Sequence, residues 1–259
     1  MAGLKATLKR LLDRHAPKLW SRYEYRKLRN SEPEIRLLPK LCRTDGLSVD
    51  VGANKGLYCA FLLPVSGEIA AFEPLPTLAQ RLQRIFGERI KLHRVALSDQ
   101  SGTCEIRLPR GNPSWATIDP HNDLALATAE IETHSVPMKK LDEFELKNVA
   151  LIKIDVEGHE ESVIRGALGT IEKWKPALLV EIEERHNAGA IRRVNDLLSS
   201  FGYRCMFLDA GTLRSIADFD PAVDQNVTHI GERGKTGRYI NNFIFLPPTF
   251  AGLAEGARV

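Results

Sequence analysis

No stretch of this chain approaches the roughly 20 consecutive apolar residues needed to cross a bilayer. The N-terminus also lacks the continuous apolar segment of a secretory signal, so the expectation is a cytoplasmic protein. Cysteine is scarce: Cys42, Cys59, Cys104 and Cys205 stand far apart and form no C-x-x-C pair. That excludes a disulfide framework and a cysteine-built zinc site, and leaves four reduced, mostly buried thiols. No internal repeat recurs along the 259 residues, which excludes a solenoid. The G-x-G-x-x-G fingerprint of dinucleotide-binding turns is missing as well.

What is present is the composition of an ordinary globular domain, 43% hydrophobic and 27% charged. The net charge of +3 is unevenly placed. Residues 1–30 hold nine Lys/Arg and two Asp/Glu, a balance of +7, which leaves the other 229 residues at −4. A net acidic body argues against a nucleic-acid partner. The basic arm carries Leu4, Leu8, Leu11 and Leu12 at helical spacing, and two readings stand for it. It packs on the main domain with its charged face in water, or it contacts an anionic membrane surface or an acidic protein.

Residues 1–32 are thus read as an arm, 33–247 as one domain and 248–259 as a frayed tail. From Leu47 onward, strand and helix patterns alternate. Strands are predicted at Leu47–Val51, Glu68–Phe72 and Ile90–Leu97, with helices near 57–63 and 77–86. The pattern resumes with strands at Val149–Ile154 and Ala177–Ile182 and a helix over 188–201. Tyr203–Leu208 and an antiparallel Asn242–Leu246 close the sheet. This is an α/β fold with a mostly parallel sheet and right-handed crossovers. Between them Thr103–Leu108 reads as an edge strand, and 109–134 as an irregular insertion long enough to be a substrate loop.

The chemistry gathers at the strand ends, where ligands of open α/β sheets bind. The first strand runs into Asp50-Val51-Gly52-Ala53-Asn54-Lys55-Gly56, a turn whose glycines let a ligand approach the backbone. Asp50 repels a pyrophosphate but suits an ammonium or sulfonium group. Glu73, at the next strand end, is placed to accept the two ribose hydroxyls of an adenosine. Asp99, at the third, is placed to take the adenine amino group. Three carboxylates and no phosphate-binding lysine fit a cationic nucleoside, S-adenosylmethionine. A nicotinamide-dependent oxidoreductase and a non-catalytic binding or scaffold module are the alternatives.

These blocks, with Ala96-Leu97-Ser98-Asp99 and Lys153-Ile154-Asp155-Val156-Glu157-Gly158-His159-Glu160, resemble the FkbM family of S-adenosylmethionine-dependent methyltransferases. The resemblance covers roughly residues 34 to 247. It implies a Rossmann-like class I methyltransferase fold, a seven-stranded mostly parallel sheet with helices on both faces and an antiparallel last hairpin. It also implies O-methylation of a small-molecule or glycan hydroxyl. By the same resemblance Asp50, Gly52, Asn54 and Gly56 cradle the methionine part, Glu73 the ribose and Asp99 the adenine.

An alcohol must lose its proton as it attacks, which calls for a general base or a metal. His159 is the first candidate for the base, since imidazole transfers protons near neutral pH. Asp155 or Glu157 is the second. Oxygen-rich Mg²⁺ binding by Asp155 and Glu157, with Glu181, is a third reading that no ligand spacing supports. Glu157 or Glu160 simply complementing the following helix N-terminus is the fourth. Glu181, Glu183 and His186 are weaker candidates for the same cleft. Trp115 is read as a sugar-stacking ring or a loop anchor.

Overall fold

A computed structural model describes residues 16–29, 31–122, 124, 127–231 and 234–259. Helices α1 (Pro17–Leu28) and α2 (Leu38–Leu41) precede β1 (Leu47–Val51), α3 (Leu57–Leu62), β2 (Glu68–Phe72), α4 (Pro76–Phe86) and β3 (Lys91–His93). A detour follows through β4 (Ala96–Leu97), β5 (Gly102–Pro109) and β6 (Ile131–Lys139). The alternation returns with β7 (Val149–Ile154), α5 (Glu160–Arg165), α6 (Leu168–Trp174), β8 (Ala177–Glu181), α7 (Ala190–Ser199) and β9 (Arg204–Asp209). The described chain finishes with β10 (Thr212–Ser215), α8 (Pro221–Asp224), a two-residue ribbon of β11 (Ile230–Gly231) and β12 (Gly234–Lys235), and β13 (Asn242–Leu246).

The main sheet has the order β10-β9-β13-β8-β7-β1-β2-β3. Its centre is parallel, and β13 lies antiparallel between β8 and β9. Seven of these strands are the expected set, and β10 adds an eighth at the edge. One apolar cluster packs α5, α6 and α7 against one face of the sheet, through Val49, Ile152, Ile154 and Val180. The opposite face, with Leu151 and Leu179, packs against the arm and α2 to α4. Each fully buried Val or Ile contributes about 1.5–3 kcal/mol. Those contributions offset the cost of the polar side chains that β1 and β7 also carry into the interior.

Three expectations are corrected. Ile90–Leu97 is not one strand: the chain leaves the main sheet after His93, and Ala96–Leu97 pairs instead with Met138–Lys139. The region where the pattern breaks contains a long antiparallel pair, β5 with β6, in register from Gly102↔Met138 to Pro109↔Ile131. The last residues are not frayed. Leu253 is buried, Leu213 and Ala257 are bonded N–H to carbonyl at 2.9 Å, and the Val259 N–H donates to the Gly211 carbonyl at 2.8 Å.

The helical stripe Leu4 to Leu12 lies outside the described residues. The described part of the arm packs on the domain. Ser21 and Tyr25 are buried, Arg81 on α4 pairs with Glu24 at 2.8 Å, and the Tyr25 hydroxyl donates to the Lys55 carbonyl at 2.6 Å. Among the described residues no helix is long and apolar enough to cross a membrane.

Candidate active site

The site is built where β1 and β7 end side by side. The Asp155 N–H donates to the Val51 carbonyl at 3.1 Å, and Gly52 and Ala53 donate to the Phe72 carbonyl at 3.0 and 3.1 Å. Gly52 has φ +76°, and a Cβ on it would fall 1.9 Å from the Asp155 carbonyl oxygen. Only glycine allows that approach. Four residues on, Gly56 lies under the Phe86 ring and completes the turn into α3.

Buried carboxyls surround this turn. The Glu73 oxygens accept from the Asn54 N–H at 2.8 Å and the Leu75 N–H at 2.9 Å. Burial nonetheless pushes its carboxyl up to about 7. Asp50 accepts from the Cys59 thiol at 3.0 Å, and burial raises it to about 6. Burial also raises Asp155, against the opposing pull of Lys153. It holds Glu157 well above the usual carboxylate range, with Asp155 and Glu183 adding to the effect.

Lys153 is a buried cation among them. It sits beside Asp50 in the parallel register and is fully buried. Its Nζ lies 4.0 Å from Asp155 Oδ2, 3.9 Å from Glu181 Oε2 and 4.9 Å from the centre of the Tyr58 ring. Burial favours the neutral amine, but Asp155, Glu181, Glu32 and Asp50 outweigh it and raise its pKa.

Two cavities open over this floor. The first encloses about 570 Å³ of space free of protein atoms, mouth included, between Phe72, Glu73, Val95 to Leu97 and Pro113, Ser114, Ala116 and Ile118 of the insertion. The second, about 840 Å³, lies between Asp50, Tyr58, Lys153 and the arm residues Leu28 and Glu32. Gly52, Asn54, Ser114 and Asp155 line both, so the cavities adjoin at these residues. At that junction Asn54 has φ +49°, and its buried Oδ1 has no hydrogen-bond partner among the described residues. Such an orphaned acceptor is costly unless a ligand satisfies it.

The structure therefore brings together Asp50, Gly52, Asn54, Glu73, Asp155 and Glu157, with Gly56 shaping the turn. It does not bring Asp99 or His159. Asp99 is exposed and faces a separate groove beside Gly158 and Arg165, because the chain has already left the main sheet at β4. His159 lines neither cavity. Its Nε2 is 2.9 Å from Ser98 Oγ, and its Nδ1 lies 3.4 Å from Asp119 Oδ2 without hydrogen-bond alignment. The left-handed pair Glu157 (φ +53°) and Gly158 (φ +106°) turns the chain between Asp155 and His159, so the two side chains diverge.

The weaker candidates sort similarly. Glu160 accepts from the Gly158 N–H at 2.9 Å at the start of α5, the helix-complementing role. Glu183 is taken by Arg185 and by the Tyr239 hydroxyl at 2.6 Å, while His186 supports Glu157 at 3.3 Å. Trp115 is half-buried and lines neither cavity. Among the described residues no group of three or more His, Cys, Asp or Glu is placed to hold a metal ion. Lys153, Ser114, Glu32 and Tyr58 were not foreseen. Only Lys153 carried a signal, a charged residue inside an otherwise apolar strand.

A model of the methyltransferase FkbM domain matches residues 50–205, more than half of the sequence. The chain belongs to the FkbM methyltransferase family. The FkbM-family chain is similar to the 2-O-methyltransferase NoeI of Sinorhizobium fredii, 25% identical over 185 residues that cover 64% of it and 76% of that protein. It is 30% identical to the hexuronic acid methyltransferase AglP of Haloferax volcanii over 161 residues, 58% of this chain and 62% of that one. Among solved structures, a methyltransferase FkbM from Methylobacillus flagellatus superposes with a TM-score of 0.51 at 18% identity. That match covers 78% of this chain and 44% of the other, and it shows the shared class I fold.

The FkbM methyl donor is S-adenosylmethionine, and the residues fit it. The orphaned Asn54 Oδ1, the Gly52 cradle and the ring of buried acids suit a ligand that brings hydroxyls, an ammonium and a sulfonium charge. Family membership displaces the nicotinamide-dependent reading.

Proposed function

We propose that the chain O-methylates a carbohydrate hydroxyl, with the donor's adenosine in the first cavity and its methionine in the second. The position of Asp155 carries this reading: it lines both cavities at their junction, with about a third of its side chain exposed. When bound, S-adenosylmethionine supplies an electrophilic methyl group. Glu73 holds the ribose hydroxyls, and Asp50 and Asn54 hold the ammonium end. Asp155 takes the proton from the acceptor hydroxyl at a carboxylate oxygen, and Lys153 keeps that carboxylate charged and oriented. A carboxyl raised by burial is the better base near neutral pH. Glu157, held by His186, is the neighbouring acid in the first cavity. The sugar acceptor is supported by the two relatives named for sugar-directed or 2-O-methylation.

The test uses methyl-labelled S-adenosylmethionine and a panel of neutral sugars, uronic acids and oligosaccharides. The reading expects label in a methyl ether, stable to mild base. Base-labile label, which marks a carboxyl ester, contradicts hydroxyl transfer.

A further inference from the structure

The segment 113–122, between β5 and β6, is not a loose connection. Its inner side places Pro113, Ser114, Ala116 and Ile118 against the first cavity, facing Glu73 and Asn54. Ala116 and Ile118 also join the small apolar cluster of Leu75, Ile106 and Met138. Thr117 exchanges two backbone bonds with Arg107 at 2.8 and 2.9 Å, and the Arg107 guanidinium donates to the Asp119 and Asn122 carbonyls at 2.6 and 2.7 Å.

The far end is latched to the catalytic turn. Thr117 Oγ1 and Asn122 Nδ2 both donate to the Glu157 carbonyl, each at 2.7 Å. Two side-chain donors on one carbonyl fix that peptide, and it belongs to the residue held at φ +53°. Position of the segment and orientation of Glu157 are therefore one structural variable. The wall opposite Glu73 is apolar and tight, which suits a flat purine with its ribose hydroxyls toward the acid.

We propose that residues 113–122 form a strap that binds the methyl donor, closing over its adenosine half, with the Ser114 hydroxyl at the junction where adenosine and methionine halves meet. This makes the segment a cofactor element where its length and composition suggest an acceptor loop. The proposal rests on the S-adenosylmethionine reading of the site.

The test measures backbone hydrogen exchange of the full chain alone, with S-adenosylhomocysteine, with 5′-methylthioadenosine and with homocysteine. Titration of Thr117→Val and Ala116→Trp with S-adenosylhomocysteine completes it. The expected result is slowed exchange over 114–118 and 157–159 with both adenosine-containing ligands and not with homocysteine. Thr117→Val, which keeps the shape and loses the bonds to the Glu157 carbonyl and from the Asp119 N–H, weakens binding about two- to tenfold. Ala116→Trp, which fills the roof, weakens it more than about tenfold. Wild-type binding with unchanged exchange in the strap, or unaltered affinity in folded variants, overturns the strap while leaving the cofactor reading intact. No binding of S-adenosylhomocysteine by the wild type overturns both.

Discussion

The two cavities share a floor but differ in their walls. The first sets Glu73 and Glu157 among apolar side chains and is closed by a segment inserted between β5 and β6; the second holds the ion cluster of Asp50 and Lys153 and is closed by the arm before β1. Their common floor, Gly52, Asn54 and Asp155, comes from parallel strand ends, which the sheet places by register alone. The walls come from segments outside the strand–helix alternation. The difference is also electrostatic. Strand alternation turns Asp50 and Lys153 onto the face covered by the arm, so charge is concentrated on that side.

The sharpest way to break both cavities at once is Gly52→Ala. Its Cβ would meet the Asp155 carbonyl at 1.9 Å, at a backbone conformation that alanine disfavours. We expect a stability loss of about 3 kcal/mol or more and no measurable binding of S-adenosylhomocysteine, read by thermal melting and calorimetry.

Lys153→Met should damage the charged cavity selectively. Removing the cation from a buried cluster of acids costs about 3–5 kcal/mol. Acids raised by burial contribute stability that is full below their unfolded pKa and lost as pH rises through the folded value. Without Lys153 those values rise further, so the melting-temperature deficit should be larger at pH 8 than at pH 6. An equal deficit at both pH values would show that Lys153 matters only through packing.

The smallest effect is expected from His159→Ala, which lies outside both cavities. Losing the bond to Ser98 should cost about 1 kcal/mol of stability, with donor affinity unchanged. Turnover on an identified acceptor should fall far less than in Asp155→Asn. The reverse order would restore His159 as the base.

Much of the floor was legible in the sequence. Leu47–Val51, Glu68–Phe72, Val149–Ile154 and Asn242–Leu246 are strands with the expected bounds, because each is a short apolar run between turn residues. Glu73 and Asp155 follow from position, since a parallel strand must end where its ligand binds. Asp99 and His159 were misplaced by backbone geometry that no residue pattern reports: an exit from the main sheet after His93, and left-handed Glu157 ahead of Gly158. β6 escaped notice because Ile131–Lys139 is mostly exposed and polar, with a proline, so its strand character depends on pairing with β5. The strap and the Glu32 wall were illegible for a related reason. They are fixed by long-range side-chain hydrogen bonds, such as Thr117 and Asn122 to Glu157 and Tyr58 to Glu32, that leave no periodic trace.

The most direct test of the account is calorimetric titration of the wild type and Glu73→Gln with S-adenosylhomocysteine from pH 6 to pH 8. Glu73 carries a proton below about 7, and the ribose hydroxyls need its carboxylate. Wild-type affinity is predicted to rise with pH across that window. Glu73→Gln should bind about ten- to a hundredfold more weakly at pH 8 and lose that part of the pH dependence, since a hydrogen bond to a charged group is worth about 1.5–3 kcal/mol. Wild-type-like affinity in Glu73→Gln, or a wild type that binds no S-adenosylhomocysteine, would contradict it.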